Sequence, residues 1–242
     1  MTVLVVGATG ATGKLLVEQL LSRGQHVRVI VRSRDRLPEA VKGHPGITIA
    51  EASLSDLTSE ELQQHVLGCD SVASCLGHNL TLQGIFGHPR RLVTDTVRRL
   101  CQAVERTKPE NRVRFVLMNT AGNQNRDLDE PATFANQCVV GLLRFAVPPH
   151  ADNEQASDVL RQEIGKNSPS LSWVVVRPDS LVDQAEVTPY ELHPSPTRDP
   201  IFNAGTTSRI NVAHFMAELI MDRAVWGKWV GQMPVIYNCE AQ

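Results

Sequence analysis

Residues Val3 to Lys14 read Val-Leu-Val-Val-Gly-Ala-Thr-Gly-Ala-Thr-Gly-Lys. A short apolar run meets glycines spaced three apart and then the start of an amphipathic segment, and no other stretch constrains the fold as much. Val3 to Val6 are apolar and mostly β-branched, as a strand buried on both faces requires. Leu16, Val17, Leu20 and Leu21 then recur at helical spacing until Gly24. The glycines therefore fall between a strand and a helix. Glycine serves there as a tight turn, as room for a pyrophosphate against the backbone, and as room for the helix against the sheet. The helix start adds unpaired N–H groups and a partial positive charge. The contacts expected from this turn are Gly7, Thr9, Gly10, Ala11, Thr12 and Gly13.

Strand and helix signals alternate through the rest of the chain. His26 to Val31 and Ile47 to Ala50 read as strands, with a short polar helix between them around Arg34 to Lys42. Thr58 and Glu61 form a capping box opening a helix that ends near Gly68, and Ser71 to Leu76 follows as a strand. Pro89 stands where a helix with Val93, Val97, Leu100 and Val104 on one face could begin, and Val113 to Met118 is the fifth strand. Helical regions are expected from about Pro131 to Val147 and from Asp152 to Gly165, then a strand from Leu171 to Val176. A helix from Ile210 to Asp222 and a strand from Met233 to Tyr237 complete the reading. Asp183 to Ala204, with Pro189, Pro194, Pro196 and Pro200, is expected to be a substrate-side loop or lid. The rhythm predicts an α/β, doubly wound, mainly parallel sheet in Rossmann order, with helices on both faces and a ligand across the carboxyl ends of the strands. A length of 242 residues suits one such domain, 1–242, with a small substrate-side region formed mainly by about 179–235.

Composition narrows the function class. A net charge of -2 argues against a nucleic-acid binder, which needs a basic surface. The five cysteines, at 69, 75, 101, 138 and 239, include no CxxC pair and suit reduced thiols in the cytoplasm rather than a disulfide framework or a zinc site. The N-terminus has no basic-then-apolar leader, and Arg144 breaks the apolar run from Cys138 to Val147, so neither secretion nor membrane spanning is expected. The expected partner is a small molecule, bound by a monomer or homodimer.

The glycine spacing is GxxGxxG. With Trp173-Val174-Val175-Val176-Arg177-Pro178, which looks like a W-T-I-V-R-P signature, and Thr207-Ser208-Arg209-Ile210-Asn211-Val212-Ala213, it resembles the short-chain dehydrogenase/reductase superfamily. The similarity is to its atypical, NmrA-like branch, which includes NAD(P)H-dependent flavin and biliverdin reductases. This resemblance implies a nicotinamide dinucleotide, and the end of the second strand suggests which one. Sites that prefer NAD place an acid there, about 20 residues past the glycines, to accept hydrogen bonds from the ribose hydroxyls. Here the chain reads Val31-Arg32-Ser33-Arg34-Asp35-Arg36, and an arginine fork with Ser33 and Arg36 beside it suits a 2′-phosphate. NADP(H) is therefore expected, with NAD(H) as the alternative; the bland reading of the arginines is a solvated basic turn.

Other strand ends enter through the resemblance. Ser53 and Leu54 stand where the family often has Asp followed by an apolar residue beside the adenine, and Cys75-Leu76-Gly77 matches its small-residue-and-Gly turn near the ribose. Met118 and Asn119 end the fifth strand where the family often has Ser-Ser after it, and Arg177 and Pro178 precede the turn that usually lies beside the nicotinamide. Asp179 replaces a frequent Gly.

The catalytic residues are less plain. Most short-chain dehydrogenases use a Tyr and a Lys four residues apart, but Tyr190 and Tyr237 are the only tyrosines and neither is followed by that Lys. Thr120 and Asn119 are the nearest candidates for polarising a substrate, or else turn-capping residues. Asn153 falls where the branch has a Lys reaching the nicotinamide ribose; it can hydrogen-bond but supplies no charge. Alcohol oxidation by acid–base chemistry is thus disfavoured, whereas hydride delivery to a flavin, quinone or tetrapyrrole-like acceptor survives, since its proton can come from water. Phe86, Phe134, Tyr190 and Phe202 are candidate aromatic walls, or ordinary packing anchors. His78, His88, His150, His193 and His214 show no metal-binding spacing. A non-catalytic NADP(H)-binding sensor or assembly protein is the alternative function.

Overall fold

The computed structural model describes residues 1–77, 91–128, 130, 148–199 and 203–239. Its centre is an eight-stranded sheet made of β1 (Thr2–Val6), β2 (His26–Val31), β3 (Ile47–Glu51), β4 (Ser71–Ser74), β5 (Val113–Met118), β6 (Leu171–Pro178), β8 (Tyr190–His193) and β10 (Val235–Asn238). The strands lie in the order β3-β2-β1-β4-β5-β6-β10-β8. All pairings are parallel except β10 with β8 at the edge. A separate pair, β7 (Ser180–Val182) with β9 (Thr206–Ser208), runs parallel just past β6.

Both faces of the sheet are covered, which explains why β1 and β6 read as continuous apolar runs rather than alternating ones. On one face α1 (Ala11–Ser22) packs with α6 (Arg209–Met221), burying Leu16, Val17, Leu20 and Leu21 together with Phe215, Met216 and Leu219. On the other, α3 (Ser59–Val66), α4 (Leu92–Thr107) and α5 (Pro148–Asp158) bury Leu62, Val66, Val97 and Leu100 over Phe115 and Trp173. The Thr58–Glu61 capping box is present: the Glu61 N–H donates to Thr58 Oγ1 at 3.2 Å and the Thr58 N–H to the Glu61 carboxylate at 2.7 Å.

Several expectations are corrected. The polar helix expected around Arg34 to Lys42 is a 3-10 turn, Arg34–Arg36, and a single α turn, α2 (Glu39–Lys42). Pro38 forces Leu37 into extended backbone between them, with φ -86° and ψ 146°. The Asp183 to Ala204 stretch is no structureless lid, because Tyr190–His193 adds an antiparallel edge strand to the sheet. Pro189 and Pro194 bracket that strand, where a missing N–H costs no ladder bond. β4 stops at Ser74, before the expected Leu76, and β6 runs two residues past Val176 to Pro178. The helix expected to reach Gly165 ends at Asp158 and continues as a π-helix, Val159–Ile164. An unforeseen helix, α7 (Arg223–Trp229), is capped by Asp222, whose carboxylate accepts from the N–H groups of Ala224 and Val225. The helix expected at about 131–147 and the expected start at Pro89 lie outside the described residues. Among those described, no helix is long and apolar enough to cross a membrane.

Candidate functional site

The register sets the carboxyl ends of the central strands at one level. Val6 pairs with Ile30 on one side and Ser74 on the other, Ser74 with Leu117, and Met118 with Val176. The turns after β1 to β6 therefore share one edge, and most of the candidate ligand residues lie along it.

At that edge the glycines after β1 have distinct tasks. Gly7 has φ +78°, and a Cβ on it would lie 2.5 Å from the Cys75 carbonyl oxygen. A Cβ on Gly13 would lie 2.1 Å from the Gly7 oxygen, so α1 is seated directly on the turn. Gly10 is less crowded, at 3.2 Å from the same oxygen, and its N–H closes the turn by donating to it at 2.9 Å. The N–H groups of Ala11, Thr12 and Gly13 have no acceptor among the described residues. Thr12 is buried, leaving its backbone as the part that faces the edge, while Thr9 is half-exposed and Ala11 exposed. Outward-facing donors and the positive end of a helix are what an anion needs.

Beyond β2, Arg32 is exposed and makes no ion pair among the described residues. Ser33 precedes and Arg36 ends the 3-10 turn that follows it, which is pinned by the Arg34 N–H donating to the Glu51 carboxylate at 3.3 Å. Beyond β3, the Ser53 hydroxyl pairs with that of Ser55 at 2.8 Å. The Arg99 guanidinium holds the carbonyls of Leu54 and Leu57, and the Leu54 N–H has no acceptor among the described residues. Beyond β4, the Cys75 thiol points into the core against Met216 and burial pushes its pKa up to about 12, so only its backbone belongs to the edge. Leu76 packs inward, and a Cβ on Gly77 would meet open space.

After β5 the chain enters a tightly held segment. Asn119 is buried: its N–H donates to the Val176 carbonyl, its side-chain amide donates to the Asn153 carbonyl at 2.8 Å, and its side-chain oxygen accepts from the Thr120 N–H at 2.9 Å. Its side chain is thus spent on structure. Thr120 is half-exposed with Oγ1 accepting from the Gly122 N–H at 3.3 Å, which leaves its O–H proton to donate elsewhere. The side chain of Asn153 is half-exposed and has no partner among the described residues. Its neighbour Asp152 turns the other way, capping α4 by accepting from the Val93 and Thr94 N–H groups at 2.8 and 2.9 Å. Met118 and Pro178 close the floor between β5 and β6, where the Ala121 N–H donates to the Pro178 carbonyl at 2.8 Å.

Arg177 does not belong with the cofactor contacts. Its guanidinium is fully buried and every N–H is used: on the Met233, Asn123 and Pro194 carbonyls and on both carboxylate oxygens of Glu130, at 2.6 to 3.1 Å. No donor remains for a ligand. Nothing near Arg177 in the chain marks this partner, since Glu130 lies 47 positions away in an irregular segment.

Neither tyrosine is hydrogen-bonded to Thr120 among the described residues, although Tyr237 packs in one cluster with Ala121, next to Thr120. Tyr190 bonds His214 on α6 at 2.9 Å, and Tyr237, on β10, packs its ring against Gly205 just before β9. Burial is the main cause raising both phenols, Tyr190 to about 12. Asp179, just past Pro178, is half-buried and burial raises its carboxyl, although it accepts from the Gly205 N–H at 2.9 Å. His193 pairs with Glu191, and no group of three His, Cys, Asp or Glu residues among those described could hold a metal. Phe86, Phe134, Phe202, His78 and His88 lie outside the described residues, as does the side chain of His150.

The NAD(P)H-binding family model matches residues 7–223, from the first glycine of the turn to the start of α7. Among solved structures, the oxidoreductase ylbE of Lactococcus lactis superimposes with a TM-score of 0.70 at 18% identity, covering 100% of this chain and 92% of that one. A wide-type short-chain dehydrogenase/reductase of Veillonella parvula, solved in complex with NADP, also gives 0.70 at 18% identity, covering 98% and 94%. A protein of Streptococcus pneumoniae described as an NADH-flavin reductase gives 0.66 at 20% identity, covering 99% and 100%. An uncharacterized chloroplastic protein of Arabidopsis thaliana is 41% identical over 71 residues, so the match spans 29% of this chain and a quarter (25%) of that protein.

Proposed function

Because the chain belongs to the NAD(P)H-binding family, in keeping with its resemblance to atypical short-chain dehydrogenase/reductases, we propose that it is an NADPH-dependent oxidoreductase whose acceptor is a flat, conjugated molecule of the flavin, quinone or tetrapyrrole kind. The observation that carries the cofactor choice is Arg32, exposed and without an ion-pair partner among the described residues, level with the glycine turn at the end of β2. A guanidinium left unpaired in that position suits a 2′-phosphate, which an acid there would repel.

The residues fit the dinucleotide. The first turn of α1 presents three N–H groups without an acceptor among the described residues, and side chains at Gly7 and Gly13 would fill the turn. Ser53, Leu54 and Gly77 would border the adenosine half, and Met118, Pro178 and Asn153 the nicotinamide half, with the substrate-side region at about 179–235. When bound, NADPH supplies a hydride. Thr120 would donate a hydrogen bond to the acceptor or the ribose, and Asn153 an uncharged one; the proton that completes the reduction would come from water. Reduction of a ready acceptor asks for no more than this placement.

The test is NADPH and NADH oxidation against a panel of flavins and quinones, repeated with Arg32→Ala. The expected result is NADPH-linked reduction that Arg32→Ala weakens about tenfold or more, through loss of a charge-assisted contact, with NADH little changed. Equal loss for both cofactors removes the NADP assignment. The engagement of Tyr190 with His214, in a chain whose tyrosines lack a Lys four residues on, favours the second reading, a non-catalytic NADP(H)-binding sensor or assembly protein. Tight NADPH binding that distinguishes NADP+ from NADPH, with no acceptor reduced, decides for the sensor.

A further inference from the structure

The segment from Asn119 to Glu130 has no regular secondary structure among its described residues, yet Asn119, Asn123 and Asn125 are buried in it. It is gripped from two sides. From the α5 side, the Asn153 carbonyl holds Asn119, Ser157 Oγ accepts from the Asn123 amide at 2.6 Å, and Arg161 pairs with Asp127. From the β6 side, Arg177 holds the Asn123 carbonyl at 2.8 Å and the Glu130 carboxylate at 2.7 Å, and Glu130 in turn accepts from the Asn125 N–H at 2.8 Å. The same guanidinium reaches the Met233 carbonyl ahead of β10 and the Pro194 carbonyl after β8.

One buried side chain thus fixes four segments relative to one another at the substrate end of the sheet. The ion pair adds little stability of its own, because a buried ion pair seldom outperforms apolar side chains of the same size; what an apolar replacement forfeits is the bonding of three buried carbonyls. A fully satisfied polar network does something apolar packing does not, which is to admit a single arrangement of the backbone groups it binds. The backbone groups bound here, at Asn123 and Asn125, lie in the segment whose first residues are Asn119 and Thr120. We propose that Arg177 and Glu130 are positioning residues, which hold Thr120 in register with the end of β6 for work on the acceptor. This rests on the oxidoreductase reading above.

The experiment replaces the pair by apolar residues of similar length, Arg177→Met with Glu130→Leu, in the full chain. Thermal midpoint, NADPH affinity from the emission of the bound nicotinamide, kcat and KM for the acceptor, and amide hydrogen exchange are measured. The expected result is a folded protein with NADPH affinity within about threefold of wild type and kcat lowered by about tenfold to a hundredfold, as small misplacements produce. Protection of the 119–125 amides should fall at least about tenfold, with the sheet unchanged. A folded double variant with wild-type kcat and wild-type protection at 119–125 overturns the proposal. Should that variant lose its cooperative transition, Arg177→Lys decides by the same readouts, since lysine keeps the charge but cannot hold three carbonyls and a carboxylate in one plane. A wild-type protein that binds NADPH and reduces no acceptor defeats the oxidoreductase reading alone. The positioning role is then decided by the exchange measurement, where unchanged protection overturns it.

Discussion

Arg32 and Arg177 both stand at the carboxyl ends of parallel strands in one sheet, and they are spent in opposite ways. Arg32 is exposed and has no carboxylate on it among the described residues; Arg177 is fully buried, with all its donors engaged and Glu130 closed around it. The first follows the β2 end of the crevice, where the neighbouring chain is a short exposed turn. The second sits under a segment whose backbone would otherwise be buried without partners. A strand-end arginine is therefore a ligand group only where the fold leaves its donors unspent. A buried backbone that cannot reach water claims them first.

This contrast can be broken at several points. Glu130→Ala has the largest expected effect. It leaves the Arg177 charge and the Asn125 N–H without their acceptor in the interior, costing about 3–5 kcal/mol in chemical denaturation. Arg32→Ala should cost under about 0.5 kcal/mol by the same measurement, as exposed substitutions do. Comparable losses would mean that the two arginines are not used differently. Gly13→Ala comes next, at about 1–3 kcal/mol, because its Cβ must displace the Gly7 carbonyl. NADPH affinity should collapse with it, and calorimetric titration showing unchanged affinity would remove the turn from the site. Arg32→Asp should leave the thermal midpoint in place and reverse the preference from NADPH toward NADH by about tenfold or more in KM, the new carboxylate repelling the 2′-phosphate.

The smallest effect concerns Cys75 beneath the turn. Burial raises its thiol from 9.0 to about 12, so the folded state holds this proton more tightly than the unfolded one. Its contribution to stability is complete below the unfolded pKa and is lost as pH rises through the folded one, a window from 9.0 to about 12. Denaturation midpoints should fall across that window and more shallowly in Cys75→Ala, and equal slopes would contradict a buried neutral thiol. Iodoacetamide should label Cys239, which is exposed, before Cys75.

Much of the frame is legible in the amino-acid sequence. Val3 to Val6, the Thr58–Glu61 box and the apolar stripe from Val93 to Val104 declare themselves within a few residues, because burial and capping impose local periods. Tyr190–His193 is hidden among prolines, since an edge strand needs only one neighbour and tolerates proline at its ends. The split of Arg34 to Lys42 is hidden too, by a polar composition that fits helix and turn alike. At the substrate end, Asn119 and Arg177 read as ligand groups, because their residue types suit ligands and their true partners lie 34 and 47 positions away.

The amino-acid sequence alone determined the glycine turn, the strand before it, the helix after it and the arginine that follows β2. Each of these depends on sterics or charge within a short stretch. Tertiary structure alone decided which polar side chains remain for a ligand. That outcome depends on which buried backbone groups come to lie beside them, and only the packed chain brings Glu130, Met233 and Pro194 around Arg177.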